Sequence, residues 1–221
     1  MLQKVRHNIP TVVGLGFLVG ANLFLFSQRS ILREMPPTQR ILAQLIFAWI
    51  VTLFLLVLVV LWERKPLSSI GIRRMSRKDV LWAVVGFLLG GVIIMGTMPL
   101  VQRLGLSSTE NGVRHLMQLP IWLRMAMVLT TGVSEEILYR GYLIERLDVF
   151  SGRIGLSASL SWFVFVALHL PFWGLGGAIQ IGLGSIVLYA LYVWRRNLPA
   201  CMLMHILNNA VALLLVPTFL S

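Results

Sequence analysis

Residues 131–143 read TGVSEEILYRGYL and continue an apolar run that opens at 119–129 as LPIWLRMAMVL. Glu135, Glu136 and Arg140 therefore place three charges within six residues, deep in a segment with the length and apolarity of a membrane helix. The surrounding composition supports that setting. The 221-residue chain is 57% hydrophobic and only 12% charged, with a mean hydropathy of +0.84. A soluble domain would carry about 25% charged residues, so this excess of apolar side chains is too large for an ordinary core. The single cysteine, Cys201, rules out an intramolecular disulfide framework and reads as a small packing residue in an apolar run.

Seven apolar segments follow from the hydropathy pattern, at roughly 9–27, 41–62, 80–102, 121–146, 156–171, 175–194 and 199–219. About 20 helical residues span the hydrocarbon. The expected fold is therefore all-α: a polytopic transmembrane bundle of about seven helices, forming a single domain over 1–221, with its polar cavity among the C-terminal four. The N-terminal stretch lacks a clear small-x-small cleavage site and is expected to be a retained first helix. Small residues four apart, Gly16/Gly20 and Gly86/Gly90, are expected to let helices approach closely.

Net charge is +11. The basic residues cluster between apolar segments and do not interleave with exposed aromatics, so they speak for topology and against nucleic acid. If the seven segments alternate, one side holds twelve basic residues, half of them in ERKPLSSIGIRRMSRKD (63–79), and the other holds six: Arg29, Arg33, Arg40, Arg103, Arg114 and Arg124. That asymmetry predicts a cytoplasmic N-terminus.

Ionisable groups in lipid are costly, face the bundle interior and have partners. Besides the 135–140 group, the intramembrane polar residues are His169, His205, Asn208 and Asn209. Residues four apart share a helix face. Glu136 and Arg140 are such a pair, as are Phe165/His169 and His205/Asn209, whereas Glu135 points about 100° away from Glu136. Glu136 and Arg140 can neutralise each other, which leaves Glu135 as the free carboxylate. A carboxylate in a dry pocket is a good proton acceptor for a water. His169 could position that water, and His205 and Asn209 could donate to a developing oxyanion. Two histidines and a glutamate are also a catalytic zinc set. A divalent ion such as Zn therefore stays open, with Glu135, His169 and His205 as its candidate ligands, although no H-E-x-x-H spacing occurs. A packing network, and a proton-coupled transporter with paired repeats, are the competing classes.

Three short patterns, E-E-x-x-x-R (Glu135, Glu136, Arg140), F-x-x-x-H (Phe165, His169) and H-x-x-x-N (His205, Asn209), follow one another over about 120–215. In that order and at membrane depth they resemble the CaaX-protease and bacteriocin-processing family of intramembrane endopeptidases. The resemblance implies a membrane-embedded peptidase in which Glu135 activates water, Glu136 and Arg140 support it, His169 shares the water, and His205 and Asn209 complete the site. It further implies a hydrophobic or lipid-modified peptide as substrate, the lipid bilayer as partner and a bacterial inner membrane as location. Members of the family are often labelled metalloproteases, while a glutamate-dependent mechanism without metal has been argued for the prenyl-processing ones. A bacteriocin-immunity or scaffold role is the non-catalytic alternative.

Overall fold

A computed structural model describes residues 2–215, with side chains from residue 9 onward. Its elements are all helical: α1 (Leu2–Ser27), α2 (Arg29–Glu34), α3 (Pro37–Val57), α4 (Arg77–Arg103), α5 (Thr109–Leu116), α6 (Ile121–Glu135), α7 (Glu145–Ser151), α8 (Ile154–Arg195) and α9 (Leu198–Ala210). Three of these run on into wider π-helical turns: α3 over Leu58–Trp62, α6 over Glu136–Ile144, and α9 over Val211–Leu215. No strand occurs among the described residues. The chain is an integral membrane protein of the all-α, polytopic kind. Five of its helices are long and apolar enough to cross a bilayer, and large side chains such as Leu23, Val92, Met95 and Phe163 point outward with more than half their surface exposed. Water would not tolerate so continuous an apolar coat, but lipid requires one. The end of the seventh apolar segment, 216–219, lies outside the described residues.

The 42-residue helix α8 is too long for one passage. At 1.5 Å per residue it would extend about 60 Å, twice the hydrocarbon thickness. It folds back on itself at Gly174, whose φ of 69° and ψ of 179° are a conformation essentially confined to glycine. The arms 154–173 and 175–195 then run antiparallel. Trp162 Nε1 donates to the Gly182 carbonyl at 3.0 Å, and the Ser161 and Tyr189 hydroxyls meet at 3.3 Å. These arms are the fifth and sixth apolar segments of the sequence.

The connections sort onto two ends of the bundle. At one end the 63–76 connection meets 145–153 and 195–198: Leu198 N–H donates to Gly71 O at 2.8 Å, Asn197 Nδ2 to Arg74 O at 3.1 Å, and Arg146 Nη1 to Ser69 O at 3.2 Å. At the other end Arg29 Nη2 donates to Pro171 O at 2.9 Å, and Gln180 Oε1 accepts from Thr109 N–H at 2.8 Å. Alternation of the connections is what a bundle threaded back and forth demands.

Helix α4 packs against α8 and α9 through the second glycine pair. A methyl group on Gly86 would press on Met204 Sδ, and one on Gly90 would touch the Gly184 carbonyl. The first pair behaves otherwise. Gly16 and Gly20 have no neighbour within 4 Å of where a Cβ would stand, so the expected helix–helix contact there is not made. The pattern alone could not say which side of α1 faces lipid.

Candidate active site

Glu135 ends α6, and the wider turns from Glu136 onward re-aim the side chains that follow. A π-helical step inside an α-helix often marks a functional site. Here it begins one residue after Glu135 and carries Glu136 and Arg140 into the core, where both are fully buried.

The expected pair is present: Arg140 Nη1 lies 3.1 Å from Glu136 Oε1. The guanidinium carbon also stacks over two rings, 4.1 Å from the Phe165 centroid and 4.2 Å from that of Tyr189. These faces matter because none of the guanidinium nitrogens makes a well-directed hydrogen bond among the described residues. Cation–π contact in a dry setting contributes ~2 kcal/mol.

Glu136 has a second role that helix spacing did not reveal. Its Oε1 also accepts a 2.7 Å hydrogen bond from Nδ1–H of His205, on α9. That bond fixes the ring and leaves Nε2 pointing onward, 3.9 Å from Glu135 Oε2. His205 therefore stands between the two carboxylates, oriented by one and facing the other. A histidine oriented through Nδ1 by a carboxylate is the arrangement that acyl-transfer enzymes use.

His169 is oriented differently. Its Nδ1–H donates to the Phe165 carbonyl at 2.7 Å, and the Phe165 ring lies beneath the imidazole with centroids 4.3 Å apart. That bond places the remaining lone pair on Nε2. His169 and Glu135 both line a cavity of about 520 Å³.

Asn209 is the exception to the expected grouping. Its Nδ2 donates to Thr131 Oγ1 at 2.8 Å, and the Thr131 hydroxyl in turn donates to Met127 O. Thr131 stands one turn before Glu135 on α6 and lines the same cavity, so Asn209 is held beside the site through Thr131. Ser134 donates to Thr130 O, one turn back on the same helix, at 2.7 Å.

Glu135 itself makes no hydrogen bond among the described residues and keeps 22% of its side chain exposed. Of the two adjacent glutamates, Glu136 is engaged through Oε1 by both Arg140 and His205, while Glu135 meets only His205 Nε2, at 3.9 Å, among the described residues. Tyr139, one turn after Glu135, donates to Asn22 Oδ1 at 3.0 Å and ties α1 to the cavity wall. Thr131 and Tyr139 were within reach of sequence reasoning, because they flank Glu135 at spacing four. Asn22 and Tyr189, on other helices, carried no such signal.

The cavity extends beyond the C-terminal helices. Its walls include α1, α2 and α3, through residues such as Asn22, Arg29, Arg40 and Gln44. As for a metal, no group of three or more His, Cys, Asp or Glu side chains is placed to hold one among the described residues. His205 Nδ1 and His169 Nδ1 are committed to other partners, so only their Nε2 atoms could face an ion, and of these His205 Nε2 lies 3.9 Å from Glu135 Oε2.

Residues 117–211 match the family model of the type II CAAX prenyl endopeptidase Rce1-like family. Over this segment the chain is similar to that family. The matched segment contains Glu135, Glu136, Arg140, His169, His205 and Asn209, and the similarity supports a membrane-embedded peptidase of the CaaX type in general. No curated protein and no solved structure matches the chain.

Proposed function

We propose that the protein is an intramembrane endopeptidase that hydrolyses a peptide bond in a hydrophobic or lipid-modified peptide, with a water activated by Glu135. The observation that carries this is the asymmetry of the two glutamates. Glu136 is fully buried and bonded to Arg140 and His205, while Glu135 faces a cavity with no hydrogen-bond partner among the described residues. A network kept only for packing has no use for a second carboxylate turned into a cavity, because an ionisable group at membrane depth is costly.

In the proposed reaction Glu135 takes a proton from a water as the water oxygen attacks the scissile carbonyl. His169 Nε2, its lone pair turned away from Phe165, accepts a hydrogen bond from the same water and aims it. The carbonyl oxygen gains negative charge in the tetrahedral intermediate. In its protonated form His205 donates from Nε2 to that oxygen, and the Glu136 carboxylate against Nδ1 stabilises the positive ring. Asn209 has a second amide hydrogen beyond the one given to Thr131 and can add a donor. Protonated Glu135 then returns its proton to the leaving amine, which separates as the C–N bond breaks.

The test is Glu135→Gln in purified protein. Cleavage of an apolar fluorogenic peptide library is expected to fall by about 10²–10⁴-fold, while the unfolding temperature stays unchanged because no bond is lost. Undiminished cleavage by this variant would refute the assignment.

A further inference from the structure

The cavity that holds Glu135 is bordered at its far end by three arginines, Arg29 and Arg33 of α2 and Arg40 of α3. Arg29 is committed, donating to Pro171 O at 2.9 Å and lying over Phe26. Arg33 and Arg40 make no ion pair or side-chain hydrogen bond among the described residues. Glu34 is the one acidic residue of α2, and it pairs with neither. Arg40 also borders a neighbouring cavity of about 170 Å³ that holds His115. Among the described residues the rim thus presents two unpaired guanidinium groups over a pocket lined by one carboxylate, Glu135.

These arginines stand out on topological grounds as well. Their connection is on the side that carries six basic residues against twelve, the side where charge asymmetry disfavours arginine. Of the other three, Arg114 is paired with Glu110, Arg124 donates to Leu213 O at the end of α9, and Arg103, unpaired among the described residues, does not line the cavity. Two unpaired arginines over a peptidase cavity call for an anion, and planar guanidinium groups take carboxylates in two-point contact.

We infer that this rim is a specificity element, and that it selects peptides carrying an acidic side chain a few residues from the bond cleaved. The inference rests on the peptidase reading of Glu135. The spacing comes from helix rise: counted along α1 and α3 at 1.5 Å per residue, the arginines stand roughly 10–20 Å from Glu135. An extended peptide covers that distance in about three to six residues. An aspartate or glutamate there reaches Arg33 and Arg40 while the scissile carbonyl lies beside Glu135.

Binding tests this without cleavage, so failure of the charge preference and failure of the peptidase reading are separately visible. The probe is a fluorescein-labelled apolar decapeptide with an amidated C-terminus, bearing one Asp scanned along its length, with Asn at the same positions as controls. Anisotropy with the full-length protein in a neutral detergent is expected to show binding about five- to twentyfold tighter for Asp than for Asn at a subset of positions. The preference is expected to vanish in Arg33→Gln/Arg40→Gln and to weaken in 0.5 M salt. Size exclusion and thermal unfolding show that the double variant folds. Equal affinities for Asp and Asn peptides, or a preference that persists in the double variant, would overturn the inference. So would tighter binding of a free-acid Asn peptide than of the amidated Asp peptide, since the group recognised would then be the chain terminus. Arginine-dependent retention of phosphatidylglycerol with no peptide preference would assign the rim to a lipid headgroup and likewise overturn it.

Discussion

Replacing Glu136 by glutamine keeps the shape of the side chain and removes its charge. In the native fold its Oε1 meets Arg140 Nη1 at 3.1 Å and accepts from His205 at 2.7 Å. The glutamine oxygen can still accept from His205, so that hydrogen bond persists in weaker form. The ion pair does not. Arg140, with 0% of its side chain exposed, becomes a buried cation without a counterion, a situation that costs about 3–5 kcal/mol. The Phe165 and Tyr189 faces remain, so the lower end, about 3 kcal/mol, is expected. In a chain of this size each kcal/mol moves the unfolding temperature by about 2–4 °C, which gives a drop of about 6–12 °C in detergent. Glu136→Gln/Arg140→Met removes both charges and is expected to recover much of the loss, because a neutral pair of similar volume is tolerated far better than a lone buried ion. Differential scanning fluorimetry of wild type, Glu135→Gln, Glu136→Gln and the double variant reads all four. If Glu136→Gln unfolds at the temperature of Glu135→Gln, the division of labour between the two glutamates is wrong.

Three further substitutions probe other parts of the molecule. Gly174→Ala puts a side chain where φ is 69° and ψ is 179°, and a destabilisation of about 1–3 kcal/mol is expected by thermal unfolding. Because no atom lies within 4 Å of the new methyl, backbone strain alone produces the effect. Glu63→Gln uncouples a carboxylate that accepts from Arg146, Thr11 and Tyr142; a loss of about 3–5 kcal/mol is expected, with turnover per folded molecule unchanged. Thr131→Val removes the acceptor for Asn209, and kcat is expected to fall roughly tenfold or more through misplacement, against a stability change of about 1 kcal/mol.

Much of the bundle was legible because lipid leaves so few solutions. Every backbone group must be bonded internally, so apolar length alone predicted helices, and even the short fifth and the glycine-rich sixth segment emerged as the two arms of α8. The Glu136–Arg140 pair was legible for a similar reason: residues four apart on one helix meet whatever the tertiary fold. What spacing could not deliver was contact between helices. Nothing on α6 announces that His205 donates its hydrogen bond to Glu136, or that Asn209 turns to Thr131. Arg146 shows the same limit. Counted with the basic loop residues, it lies buried against Glu63, with Nη2 to Oε2 at 2.6 Å, and only the packing of the 63–76 connection onto α7 discloses that.

The distribution of ion pairs bears on where the site opens. At one end of the bundle the partners are numerous and mutual. Glu63 binds Arg146, Asp79 binds Arg195 at 2.8 Å, and Glu145 binds Arg196 at 3.3 Å while accepting from Tyr192. Each pair joins segments far apart in sequence, so this end is cross-tied. The other end has a single polar tie between α2 and α8, from Arg29 to Pro171, and its remaining rim arginines are unpaired among the described residues. A bond of that kind is worth about 1.5–3 kcal/mol, less than the three mutual ion pairs supply together at the opposite end. The wall of the cavity that holds Glu135 thus includes the α2 edge, which a single side-chain bond ties to α8.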